Sequence, residues 1–185
     1  MGQAMDIQWH RNISIIPEIE DYYLMCKMKT SSLARLAAEL GAHAAGASQE
    51  IINIIANAAD MVGIGFQILD DVKNLTTGNP GKKLGDDVVE GKKGLPVLLY
   101  MHKYPEKRER IFYCFHVAKR EGTNAPEVGE LIDALKATDV FAEAEEKGRA
   151  LIKNAQEIFK SSEFTGYPLN ENSRSLLDNL IKLIS

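Results

Sequence analysis

Apolar residues recur at intervals of three and four through most of the chain, and the period-two alternation of a half-buried strand is absent. The longest such run is Gln49 to Leu75. There Ile51, Ile52, Ile54, Ile55, Ala58, Ala59, Val62, Phe66, Leu69 and Val72 keep helical spacing, and Gly78 and Pro80 supply the stop. Before it, Gly2 to Arg11 predicts a short helix. Pro17 predicts the first helical position of another, with Glu18, Glu20 and Asp21 in its opening turn, running to about Lys29. A break is expected at Thr30, where Thr30-Ser31-Ser32 offers capping hydroxyls and the spacing resumes at Leu33, Leu36, Ala37 and Leu40. The stretch from Thr76 to Gly94 holds five glycines and one proline and reads as a long loop too polar for a core position. Pro96 and Pro105 each open a further helix, and helical patterns continue over about 125–136, 139–161 and 172–184. The expectation is an all-α fold, residues 1–185 forming one helical domain without repeats or linkers. The small residues from Gly41 to Ala47 are expected to let helices pack closely.

Composition narrows the class. At 185 residues and 45% hydrophobic content the chain can bury a real core. No stretch approaches 18 consecutive apolar residues and no basic-then-apolar leader opens it, so the expectation is a cytoplasmic protein with no membrane span. Cys26 and Cys114 stand alone, with no zinc-like spacing, and read as buried apolar residues in a reducing compartment. A net charge of −4 with mixed signs gives no footprint for nucleic acid. His10, His43, His102 and His116 lie on separate segments and are expected at or near the surface. Tyr22, Tyr23 and Phe66 read first as core and second as lining for an apolar ligand.

The chemistry concentrates in Phe66-Gln67-Ile68-Leu69-Asp70-Asp71-Val72-Lys73-Asn74. At 100° per residue, Gln67, Asp70, Asp71 and Asn74 fall within about one third of the helix circumference. Both acids sit at the negative end of the helix dipole, where each is disfavoured by about 0.3–1 kcal/mol. Either this is a solvated helix end or a cation compensates it. Mg2+ suits the second reading, since it takes one or two carboxylates together with waters and phosphate oxygens. Lys29, Lys73, Lys82, Lys83, Lys92 and Lys93 add the positive charge that a metal-bound diphosphate needs, although Asp86, Asp87 and Glu90 allow a reading as ordinary surface charge.

These residues resemble the trans-type isoprenyl (polyprenyl) diphosphate synthases. Gly2-Gln3 with Asp6 and Trp9 is similar to that family's GQxxDxxW segment, and Tyr23 to Thr30 is similar to its YxxMxxxKT segment. Phe66 to Asn74 looks like the second aspartate-rich motif. Gly81 through Lys83, Gly85, Asp87, Gly91-Lys92 and Pro96 resembles the GKxxGxD…GKxxxP pattern that comes after it. The resemblance implies the isoprenoid synthase fold and a prenyltransferase reaction, in which isopentenyl diphosphate is joined to an allylic diphosphate. Carried over residue by residue, it implies Mg2+ at Asp70 and Asp71, with Asn74 as a neutral acceptor where the motif's last acid stands. It implies diphosphate oxygens at Lys29, Lys83 and Lys92, support from Thr30 and Gln67, and a catalytic role for Lys29, Asp70 and Lys83.

The family's other aspartate-rich motif, DDxxD, occurs nowhere in these 185 residues. The expectation is therefore a chain resembling the C-terminal half of a synthase. It would be inactive alone and work as one subunit of a heteromeric enzyme whose homologous partner carries DDxxD. Two alternatives stay open: a binding or regulatory subunit that holds a prenyl diphosphate, and a self-associating remnant.

Overall fold

A computed structural model describes residues 1–78, 81 and 83–160, together with 175 and 179. Among the described residues every regular element is helical: α1 (Gly2–Arg11), α2 (Ile19–Cys26), α3 (Ser32–Ala44), α4 (Gln49–Thr76), α5 (Asp86–Glu90), α6 (Leu95–Lys103), α7 (Arg108–Glu121), α8 (Pro126–Lys136) and α9 (Val140–Lys160). The all-α expectation is met. Its last helix, 172–184, lies outside the described residues except for Ser175 and Asn179, which are helical. The fold divides into two compact units, Met1–Met25 with Ile68–Glu146, and Cys26–Gln67 with Lys147–Ser185. Helices α4 and α9 each contribute to both.

In the first unit α6 is the core element. Leu95, Pro96, Val97, Leu98, Leu99, Tyr100 and Met101 are all buried, and a helix apolar on every side must be enclosed on every side. Helix α7 brings Ile111, Cys114, Phe115, Val117 and Ala118, and packs on α5 and α8. Helix α8 adds Val128, Leu131, Ile132 and Leu135 and packs on α6. Pro96 and Pro126 sit in the first turns of α6 and α8, where a missing N–H costs nothing. Pro105 opens a short 3-10 turn, Pro105–Lys107, that leads into α7. Pro17 lies two residues before α2 begins, ahead of the position its sequence context predicts.

In the second unit the expected break at Thr30 is absent. A π-helical turn, Lys27–Ser31, carries α2 into α3 without interruption, and the Ser31 and Ser32 hydroxyls cap nothing. Ser32 Oγ instead donates to the Met28 carbonyl at 3.1 Å. Among the described residues nothing approaches within 4 Å of where a Gly41 or Gly46 Cβ would stand, so the close packing expected at Gly41–Ala47 is not made by those glycines, although Ala42 is buried. Close approach occurs on α4. A Cβ on Gly65 would meet the Gly148 carbonyl oxygen at 2.7 Å, and one on Gly63 would collide with Ser31 Oγ. Helix α3 turns Leu33, Leu36 and Leu40 outward, while Arg35 is drawn toward Asp60 of α4. By length and composition α4 could cross a membrane, which amends the expectation that no segment is long and apolar enough. Its buried polar residues, Asp60, Gln67, Asp71 and Asn74, each meet a protein partner, as in a core helix.

Candidate functional site

Helix α4 places Asp71 and Asn74 one turn apart on a buried face, 1% and 0% exposed. Each needs partners there, because an unpaired polar group in the interior costs about 1–3 kcal/mol. The partners come from a segment expected to be loop. Gly85 and Gly91, with φ of 82° and 72°, adopt the left-handed conformation that glycine tolerates, and so bracket α5 and turn the chain sharply at both ends. This brings Asp87 against α4, where its N–H donates to Asn74 Oδ1 at 3.1 Å. The Gly85 N–H donates to the Asn74 carbonyl at 3.2 Å. The polar stretch is thus partly core, against expectation, with Asp87, Lys92 and Lys93 all buried.

Lys92 is the hub. Its Nζ lies 2.9 Å from Asp71 Oδ1 and 3.0 Å from Asp87 Oδ2. Burial opposes the ammonium most strongly, but attraction and hydrogen bonding to Asp71 and Asp87 outweigh it and hold Lys92 above the usual lysine range. Tyr22 completes the set, its hydroxyl donating to Asp71 Oδ2 at 2.8 Å. Gly94 leaves room for that carboxylate, since a Cβ there would stand 2.6 Å from Asp71 Oδ2.

The other predicted residues are more dispersed. Asp70 is half-buried and Lys83 is exposed, with the Lys83 N–H donating to Asp86 Oδ2 at 2.8 Å. In the second unit Lys29 is half-buried within the π turn, and Thr30 Oγ1 donates to Gln67 Oε1 at 2.8 Å. Lys82 lies outside the described residues. The first unit therefore brings Asp71, Asn74 and Lys92 together, and the second brings Thr30 to Gln67.

Among the described residues no three Asp, Glu, His or Cys side chains are grouped to hold a metal. A cation such as Mg2+, content with one carboxylate when waters and phosphate oxygens supply the rest, fits the half-buried Asp70. Both oxygens of Asp71 are engaged, Oδ1 by Lys92 and Oδ2 by Tyr22, so a metal at this carboxylate would compete with the Lys92 ammonium or use the lone pairs these contacts leave.

Three functional contacts escape the sequence. Tyr22 is too far from Asp71 in sequence for any local pattern to pair them, and the pairing of Asp87 with Asn74 is equally non-local. Lys93 groups by sequence with the phosphate-facing lysines, yet its Nζ donates to the Trp9 carbonyl at 2.7 Å and stands 5.8 Å from the Phe115 ring centre. Trp9 lies in the last turn of α1, whose carbonyls lack helical partners, so Lys93 caps that helix from a distance. Asp60 has a visible signal, an acid in an otherwise apolar stretch with Lys27 and Arg35 upstream.

Cys26 and Cys114 are buried and unbridged, and burial raises the Cys114 thiol to about 11, as fits apolar rather than nucleophilic cysteines. Tyr22 is core, as expected, whereas Phe66 is 41% exposed.

A helical fold with paired acids at the end of its longest helix and a lysine-bearing turn packed against them defines the class, and comparison with known proteins agrees. The chain belongs to the polyprenyl synthetase family, whose model matches residues 1–135. It is 29% identical over 181 residues to a geranylgeranyl pyrophosphate synthase of Penicillium crustosum, covering 97% of this chain and 50% of that protein. It is 28% identical over 186 residues to the geranylfarnesyl diphosphate synthase of Aeropyrum pernix, covering 99% and 56%. Among solved structures, the geranylgeranyl pyrophosphate synthetase of Pyrococcus horikoshii matches with a TM-score of 0.80 at 29% identity, covering 99% of this chain and 53% of that one. The fold is the all-α isoprenoid synthase fold, and the chain spans about half the length of the relatives it matches.

Proposed function

We propose that this chain supplies the second aspartate-rich diphosphate site of a cytoplasmic prenyl diphosphate synthase, with a homologous subunit contributing the DDxxD acids. The reaction proposed is chain elongation, in which isopentenyl diphosphate is added to an allylic diphosphate. The observation that carries this reading is the first unit's arrangement of α4 acids against the lysine-bearing α5 turn, in a family whose matched members are geranylgeranyl and geranylfarnesyl diphosphate synthases. A related structure, the polyprenyl synthase of Caulobacter crescentus, is described as complexed with calcium and isoprenyl diphosphate, which supports a divalent cation with a diphosphate as the ligand pair.

In this reading Asp70 and Asp71 would hold Mg2+, and Lys92, which pairs with Asp71 here, would be available to a diphosphate oxygen. Bound Mg2+ draws charge off the departing diphosphate. Lys83 and Lys92 would bind its oxygens, stabilising the charge that grows as the carbon–oxygen bond breaks, and Lys29 would bind diphosphate oxygens from its own unit. Thr30 and Gln67 orient one another beside Lys29.

A second reading, a binding or regulatory subunit, is favoured by the engagement of both Asp71 oxygens within the protein. The two separate in a complex reconstituted with a DDxxD-bearing synthase subunit. Catalytic participation requires that Asp70→Ala lower the condensation rate at least a hundredfold and change its Mg2+ dependence. An unchanged rate and metal dependence would leave only the regulatory reading.

A further inference from the structure

In the second unit, α4 grips the π turn with three residues on one of its faces, Asp60, Gly63 and Gln67, spaced i, i+3 and i+7. Asp60 is 5% exposed. Its Oδ2 accepts from Arg35 Nη1 at 2.6 Å and lies 3.1 Å from Lys27 Nζ, so one carboxylate ties the residue that opens the π turn to the first turn of α3. The Asp60 backbone carbonyl accepts from Ser31 Oγ at 3.1 Å, and Ser31 is fully buried. One turn on, Gly63 lets the two backbones meet, with Ser31 Cα only 2.7 Å from where its Cβ would stand. A further turn on, Gln67 Oε1 accepts from Thr30. Lys29 is the π-turn residue between these anchors.

A π turn carries one residue more than the α-helix around it, and that residue rotates the downstream helix by about 100°. Such turns are rare and persist where their surroundings hold them. Here the surroundings are specific, a buried acid with two basic partners and a glycine at a backbone contact.

We infer that Asp60 is a positioning residue. With Gly63 it clamps the π turn so that Lys29 and Thr30 are held in place for the diphosphate. The inference rests on the reading that Lys29 binds diphosphate, and adds a residue that no part of that reading names. Lys27 and Arg35 are partly exposed, so both can rehydrate when Asp60 is neutralised, and Asp60→Asn keeps the backbone carbonyl that holds Ser31. This variant is therefore suited to testing position rather than folding. Gly63→Ala, which drives a Cβ into Ser31, perturbs the same contact by a different route.

The experiment is a double-mutant cycle on inorganic diphosphate binding in the presence of Mg2+, measured by titration calorimetry on the full chain. Asp60→Asn and Lys29→Ala should each weaken binding about tenfold, and the double variant should be no weaker than Lys29→Ala alone within about twofold. Equal effects of Asp60→Asn with and without Lys29 would mark general damage and overturn the inference. So would a Lys29→Ala loss with no Asp60→Asn loss. If Lys29→Ala itself changes nothing, the diphosphate role of Lys29 falls, and this inference with it. Amide hydrogen exchange reads the clamp directly: residues 28–32 should exchange at least tenfold faster in both Asp60→Asn and Gly63→Ala, with α8 unchanged. Wild-type exchange rates there overturn the clamp whatever diphosphate does.

Discussion

Lys93 permits a prediction whose sign reverses with pH. The residue is 3% exposed, and burial lowers its ammonium to about 8 from an ordinary 10.5. Between those values the unfolded chain holds a proton that the fold does not, so stability rises with pH across the window from about 8 to 10.5 and is level at its lower value below about 8. The gap corresponds to about 3 kcal/mol, the cost of keeping the charge buried at neutral pH. Against it stands the hydrogen bond from Nζ to the Trp9 carbonyl, worth about 1 kcal/mol to the end of α1. Lys93→Met removes both. The variant should therefore be about 2 kcal/mol more stable than the wild type at neutral pH and about 1 kcal/mol less stable at pH 10.5 and above. Urea unfolding followed by circular dichroism at steps between those limits measures it. The quantity to plot is the difference between the two proteins, because other titrating groups such as Tyr100 are common to both. A difference that is flat with pH, or a variant less stable throughout, would refute the account of a desolvated ammonium held against its preference.

Lys92→Met leaves Asp71 and Asp87 buried without their cation and should cost about 3–5 kcal/mol at neutral pH, a fall of about 10 °C in the thermal midpoint. Adding Asp87→Asn should recover at least half of that loss, and a single-variant cost below about 1 kcal/mol would contradict a buried triad. Gly94→Ala forces a Cβ against Asp71 Oδ2 and should destabilise by about 1–3 kcal/mol in urea unfolding, with Tyr22→Phe in the Gly94→Ala background costing less than Tyr22→Phe alone if their bond is already broken. Gly65→Ala meets a backbone carbonyl on α9 that cannot rotate away, so it should cost a similar amount, whereas Gly41→Ala, with no described atom within 4 Å of its Cβ, should be neutral or stabilising.

The helices are legible in the sequence because their signals are local and repeat. Ten apolar positions at helical spacing define α4, and prolines mark the starts of α6 and α8 to within a residue. The π turn is not legible. Its determinant is Asp60, about thirty positions along the chain, while the local residues Thr30-Ser31-Ser32 favour a break and a new cap. The site shows the same division. The shared face of Gln67, Asp71 and Asn74 comes from helix geometry, but what those side chains touch does not. Asp71 meets Tyr22 from α2, while Lys92 and the Asp87 backbone reach α4 from a segment turned by two left-handed glycines. Polarity misleads for the Gly91–Gly94 stretch, since hydropathy prices each lysine singly and is blind to the acids that neutralise Lys92 once the chain closes.

The Lys92 ammonium makes the α4 acids a site with a tethered competitor. On the proposed metal reading, a divalent ion at Asp71 would compete with a cation held there by the backbone at high effective concentration, which would lower its apparent affinity. Neutralising Asp87 would leave the ammonium wholly to Asp71, tightening the competitor's hold and lowering the affinity of any cation there without removing a ligand from it.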